Sequence, residues 1–141
     1  NATVLEYVEG MAELMAASDL VICKPGGLTV TECLCAKAPM ILLGRAYGQE
    51  NINVRMLTSL GAALHVTTAR ELVGAMGHVD ANPAIVEAML TQGSFLRRPN
   101  AAIDIARNAL RLAAAEPSTD ARMRKKHFLH FYWGHTPAHI R

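Results

Sequence analysis

Two short segments of this chain carry residue types that could do chemistry. The first is Lys24-Pro25-Gly26-Gly27-Leu28-Thr29, set between an apolar run and a helix-forming stretch. Glycine lets a ligand come close to the backbone, and the unpaired N–H groups of a helix start attract an anion. Lys24 adds a positive charge, so the place suits a diphosphate without a metal ion. By spacing alone, a tight turn that serves no ligand explains the two glycines equally well. Glu32 stands about one turn further on. Its carboxylate could accept hydrogen bonds from a ribose diol. It is also the last member of a Thr-x-x-Glu capping box opened by Thr29, and spacing alone favours that cap.

The second segment is Gly48-Gln49-Glu50-Asn51-Ile52-Asn53. Amide and carboxylate groups side by side suit sugar hydroxyls, each of which can donate and accept. A polar loop that caps the following helix, with Asn51 or Asn53 as the N-cap, accounts for the same residues and is the simpler reading of the spacing.

The elements that must position these segments follow from the hydrophobic pattern. Val4, Leu5 and Val8 suggest a short strand, and Met11 to Ala17 is rich in helix formers. Leu20-Val21-Ile22-Cys23 and Pro39 to Leu43 are short apolar runs bounded by turn residues, as in strands covered on both faces. Leu28 to Lys37 reads as a helix, Asn53 to Leu60 as another ending at Gly61, and Ala63 to Val66 as a short strand. Thr68 and Glu71 repeat the capping-box spacing before a helix to His78. Asn82-Pro83 starts a helix to Leu90, and Ala101 to Ala115 follows the helical period. Strand and helix alternate, so the fold class is α/β: a partial doubly wound, Rossmann-like parallel sheet of about four strands with flanking helices. A complete domain of that type has about six strands, so the first part of the sheet is expected to be missing. The chain opens on Asn1-Ala2-Thr3, without an initiator Met or a leader pattern, and reads as a piece of something longer.

Composition removes several function classes. With 141 residues, 51% of them hydrophobic, the chain is one folded domain rather than a disordered one. No apolar stretch is long enough to cross a bilayer. A net charge of +2 gives no argument for nucleic acid. Cys23, Cys33 and Cys35 form no Cys-x-x-Cys pair and read as reduced thiols filling a cytosolic core. No metal site and no cofactor are expected, and no Ser-His-Asp arrangement or His-Glu-x-x-His is present. Residues 1–115 form the expected domain. Residues 116–141 form a tail with a basic cluster (Arg122 to Lys126), aromatics and the histidines His127, His130, His135 and His139. Contact with a membrane surface, packing on a neighbouring domain and disorder in solution all remain open for it.

Taken together, Ser18-Asp19-Leu20-Val21-Ile22-Cys23-Lys24-Pro25-Gly26-Gly27-Leu28-Thr29-Val30-Thr31-Glu32, then Pro39 to Leu43, then Gly48-Gln49-Glu50 and Asn53, resemble the donor-binding domain of GT-B glycosyltransferases. The likeness is to the monogalactosyldiacylglycerol synthase and processive diacylglycerol glucosyltransferase group, and it extends to Arg98-Pro99-Asn100-Ala101-Ala102. The chain departs from the family pattern at Ala38, where one residue is missing, and at Tyr47, where a proline is common. The resemblance implies the C-terminal half of a donor domain. It implies that Gly26, Gly27, Leu28 and Thr29 hold a nucleotide diphosphate, that Glu32 binds the ribose, and that Gln49, Glu50 and Asn53 meet the donor sugar. It implies an inverting enzyme that moves hexose from UDP-galactose or UDP-glucose to a diacylglycerol-type lipid at the cytoplasmic face of a membrane. The acceptor would bind through an N-terminal domain that has no counterpart here, and the catalytic base would lie there too. A non-catalytic nucleotide-sugar-binding or interaction module of the same fold is the alternative.

Overall fold

A computed structural model describes residues 2–114. The expectations for the tail and its histidines lie outside the described residues. The chain divides into two compact units, Asn1–Pro99 and Asn100–Arg141. In the second unit the described part is one helix, Ala101–Ala114, with a surface ion pair between Arg107 and Asp104 at 2.9 Å.

The first unit alternates as the hydrophobic pattern predicts. Helix α1 (Met11–Ala16) leads to β1 (Val21–Cys23), α2 (Gly27–Ala36), β2 (Met40–Leu43), α3 (Gln49–Ser59) and β3 (Leu64–Val66). Two further helices follow, α4 (Ala69–Ala81) and α5 (Pro83–Leu96). The three strands are parallel in the order β1-β2-β3, with Val21 opposite Met40 and Ile41 opposite Leu64. Helices α2 and α3 are the crossovers that parallel pairing requires. Strand β2 is central, and Ile41 and Leu42 are 0% exposed, which explains its uninterrupted apolar sequence. Leu34, Leu57, Met40 and Leu42 sit in one core cluster with Cys33 and Met15. Helix α5 comes so close to α2 that a Cβ on Gly93 would lie 3.1 Å from Leu34 Cδ2.

The strand expected at Val4 to Val8 does not form, so the sheet has three strands among the described residues rather than about four. Val4 is 93% exposed, and no described strand pairs with the free edge of β1. A strand is a property of two segments, and this one lacks its ladder partner. Other boundaries moved less. Helix α5 runs on to Leu96, and α3 begins at Gln49 rather than Asn53. Gly61 ends α3 as expected, at φ +71, with Ala62 N–H donating back to Leu57 O at 2.8 Å. Lys37 ends α2 in the same left-handed region at φ 59, unusual for a residue with a Cβ.

Candidate functional site

The carboxyl ends of β1 and β2 each open directly into a helix start. After Cys23 the chain passes Lys24 and the buried Pro25, then turns at Gly26 (φ −69, ψ 142) into α2. Gly26 is the N-cap and provides no side chain, so the first turn of α2 has no side-chain cap. The first bond back into the turn is Val30 N–H to Gly26 O at 3.1 Å. The N–H groups of Gly27, Leu28 and Thr29 therefore have no helical partner. The capping box expected from Thr29 to Glu32 is not formed. Thr29 lies in the first turn of α2 and Glu32 in the second, because the helix starts at Gly27. Thr31 Oγ1 donates instead to Gly27 O at 2.7 Å.

After Leu43 the backbone turns twice through left-handed glycines, Gly44 at φ +103 and Gly48 at φ +54. Glu50 N–H donates to Tyr47 O at 3.1 Å and Asn51 N–H to Gly48 O at 3.2 Å, which starts α3 early. Gly48 is the N-cap, so neither Asn51 nor Asn53 has that role. Gln49 and Glu50 stand in the first turn of α3 rather than in a loop.

The two starts meet. Gly26, Gly27, Gln49, Glu50, Ile52 and Asn53 line one open cavity of about 430 Å³. A Cβ on Gly26 would meet nothing within 4 Å, and one on Gly27 only Asn53 Nδ2 at 4.0 Å. Packing within the chain does not demand glycine at Gly26; the open space does, if a ligand is to touch the backbone. Asn53 has a part that its spacing did not show. Its Nδ2 donates to Pro25 O at 2.9 Å, tying α3 to the glycine turn.

The remaining expected residues are placed less compactly. Leu28 is 82% exposed and Thr29 half-buried, so their contribution at the helix end is their N–H groups. Glu32 does not line the cavity of Gln49. It lines a separate one of about 290 Å³ against α1, with Met11, Met15 and Cys35. Helix α2 thus has one concavity on its α1 side and one on its α3 side.

Two further groups support the site. His65 Nε2 lies 2.8 Å from Gly44 O, pinning the turn after β2 to β3. A single histidine in a short strand gave no sign of this in the sequence. All three cysteines are free. Interaction with the neighbouring Cys33 thiol draws the Cys23 thiol below its ordinary range. Interaction with Cys23, together with burial, pushes the Cys33 thiol well above its own. No helix among the described residues is long and apolar enough to cross a membrane.

Comparison with known proteins gives the family of the chain. Residues 1–89 match the model of the glycosyltransferase family 28 C-terminal domain. A processive diacylglycerol beta-glucosyltransferase of Staphylococcus carnosus is 41% identical over 73 residues, covering 52% of this chain and 19% of the relative. A UDP-N-acetylglucosamine--N-acetylmuramyl-(pentapeptide) pyrophosphoryl-undecaprenol N-acetylglucosamine transferase of Azotobacter vinelandii is 32% identical over 108 residues, covering 72% of this chain and 30% of the relative. The crystal structure of Acinetobacter baumannii MurG superposes with a TM-score of 0.63 at 25% identity, covering 73% of this chain and 31% of that one. The chain therefore spans between a fifth and a third of the length of these relatives.

Proposed function

The chain belongs to glycosyltransferase family 28, whose C-terminal domain it matches, and on that footing we propose that it is the donor-binding part of an inverting, UDP-sugar-dependent hexosyltransferase that glycosylates a lipid. The observation that carries this reading is the cavity in which an uncapped helix start at Gly26 and Gly27 faces Gln49 and Glu50. The free N–H groups of Gly27, Leu28 and Thr29 bind the donor's diphosphate, with the positive end of the α2 dipole behind them. The hexose lies on the α3 side, where the Gln49 amide and the Glu50 carboxylate exchange hydrogen bonds with its hydroxyls. The nucleoside lies on the α1 side, where Glu32 accepts from the ribose diol. Asn53 holds the two helix starts in register through Pro25 O.

In this reading the residues here act on the leaving group. As an acceptor hydroxyl attacks the anomeric carbon, negative charge builds on the departing diphosphate. Fixed N–H dipoles stabilise that charge more than they stabilise the bound donor. The acceptor lipid and the base that activates it belong to the part of the relatives that this chain does not span. UDP-glucose and UDP-galactose are the proposed donors, a diacylglycerol-type lipid the acceptor, and the cytoplasmic face of a membrane the place.

Calorimetry with UDP tests the reading. Weak but measurable binding is expected, and Glu32→Ala should weaken it by about 1–3 kcal/mol through the lost hydrogen bonds to a charged group. Absence of binding at millimolar UDP would overturn the reading in favour of a module that keeps the fold without the ligand. The chain by itself should not transfer hexose to diacylglycerol, and a radiolabelled-donor assay that detected product would contradict that expectation.

A further inference from the structure

A third cavity, of about 360 Å³, lies at the opposite end of the sheet from the Gly26 and Gln49 cavity. Ala38 and Met40, at the amino end of β2, and Ala62, just before β3, form part of its wall. The donor cavity sits at the carboxyl ends, so the two are distinct, and α2 runs from one to the other. The floor is apolar, with Leu34, Met40 and Met89 all buried. The polar groups include Lys37, Ser94 and Arg97, and among the described residues no aspartate or glutamate lines the cavity.

Arg97 is unusual in this setting. Its Nη2 donates to Cys35 O at 3.0 Å, satisfying a carbonyl in the last turn of α2. Its Nε is buried and has no hydrogen-bond partner among the described residues. A guanidinium offers five N–H donors in one plane, and a buried charged donor without an acceptor is unfavourable. Lys37, in its left-handed position at the end of α2, adds a second positive charge on the same rim. Two cations beside a continuous apolar floor, in a volume at the lower end of small-molecule pockets, describe a ligand with two unlike ends.

We propose that this cavity binds an anionic amphiphile: a single acyl chain with a phosphate or carboxylate head. The head pairs with Arg97 and Lys37, and the chain lies over Leu34, Met40 and Met89. This inference does not depend on the donor reading, since the residues and the end of the sheet are different.

The probe is dodecyl phosphate below its micelle concentration, titrated into the whole chain and followed by calorimetry and amide NMR. One saturable site is expected, with shifts at Lys37, Ser94 and Arg97. Inorganic phosphate and dodecyl maltoside each carry half of the chemistry and should bind at least tenfold more weakly. Arg97→Gln should weaken dodecyl phosphate by tenfold or more. Lys37→Asn keeps a residue that tolerates the left-handed backbone and should weaken it severalfold, which decides the matter if the arginine variant does not fold. Equal binding of dodecyl maltoside, or unchanged affinity in the Lys37 variant, would overturn the proposal. So would recruitment to phosphatidate vesicles without binding of the soluble probe, which would point to a surface contact in place of a pocket.

Discussion

Helices α2 and α4 carry the same four-residue signature near their starts, Thr29-x-x-Glu32 and Thr68-x-x-Glu71, and the structure treats them oppositely. At α4 the signature is spent on the helix itself. Thr68 is the N-cap and its Oγ1 accepts from Glu71 N–H at 3.2 Å. The Glu71 carboxylate reaches one residue further back than in an ideal box, accepting from Thr67 N–H at 2.7 Å and Thr67 Oγ1 at 3.0 Å. At α2 two glycines come first, the helix starts at them, and Thr29 and Glu32 are carried inside. The same pattern thus closes one helix start and leaves the other bare. A bare start is a cost to stability that makes sense where something else binds.

The largest effect expected from this contrast is at Gly26. Its φ and ψ suit a β-branched residue, and a Cβ there meets no protein atom. Gly26→Val should leave the melting temperature unchanged while UDP affinity falls at least tenfold, about 1.4 kcal/mol or more. Calorimetry beside thermal melts reads both. Retained UDP affinity in that variant would remove the bare start from the site. Thr68→Ala should show the reverse, a stability loss of about 0.5–2 kcal/mol in urea unfolding with UDP affinity unchanged. Glu71 sharpens the contrast through pH. The Thr67 N–H, then its hydroxyl, hold the Glu71 carboxyl below its ordinary range. Its stabilising contribution is present above the unfolded-state value and is lost as pH falls through the depressed folded one. Thermal melts on the acid side should therefore fall less steeply for Glu71→Gln than for the parent chain. The smallest effect is expected from Thr29→Ala, which should alter unfolding free energy by less than about 0.5 kcal/mol, because no cap is lost. A larger loss would mean that the box at α2 forms in solution after all.

These two helix starts also show how far the sequence could be read. The apolar runs at Val21 and Met40 identified parallel strands, but among the described residues only β2 is covered on both faces; β1 is an edge strand and its Ile22 is 40% exposed, against the expectation from its apolar sequence. The pairing of the glycine turn with Gln49 and Glu50 was legible once successive strands were placed side by side. What was not legible depends on contacts distant in sequence. Val4 to Val8 has the composition of a strand and no partner. The start of α3 depends on the left-handed Gly48, which no cap residue announces. Asn53 looks like a ligand-facing amide by type, and only the fold reveals the Pro25 carbonyl opposite it. Glu32 shares a helix with the glycines yet lines a different cavity, since the rotation from the first turn to the second depends on where the helix begins.

The bond from Asn53 to Pro25 bears on how a two-part ligand would be received. One amide clasps the turn on which a diphosphate would rest to the helix from which a sugar would be recognised. Stiffening either side would restrain its neighbour before any second contact was made. The later-arriving half of a donor would then find less motion left to arrest, and its apparent affinity would rise without a single additional touch.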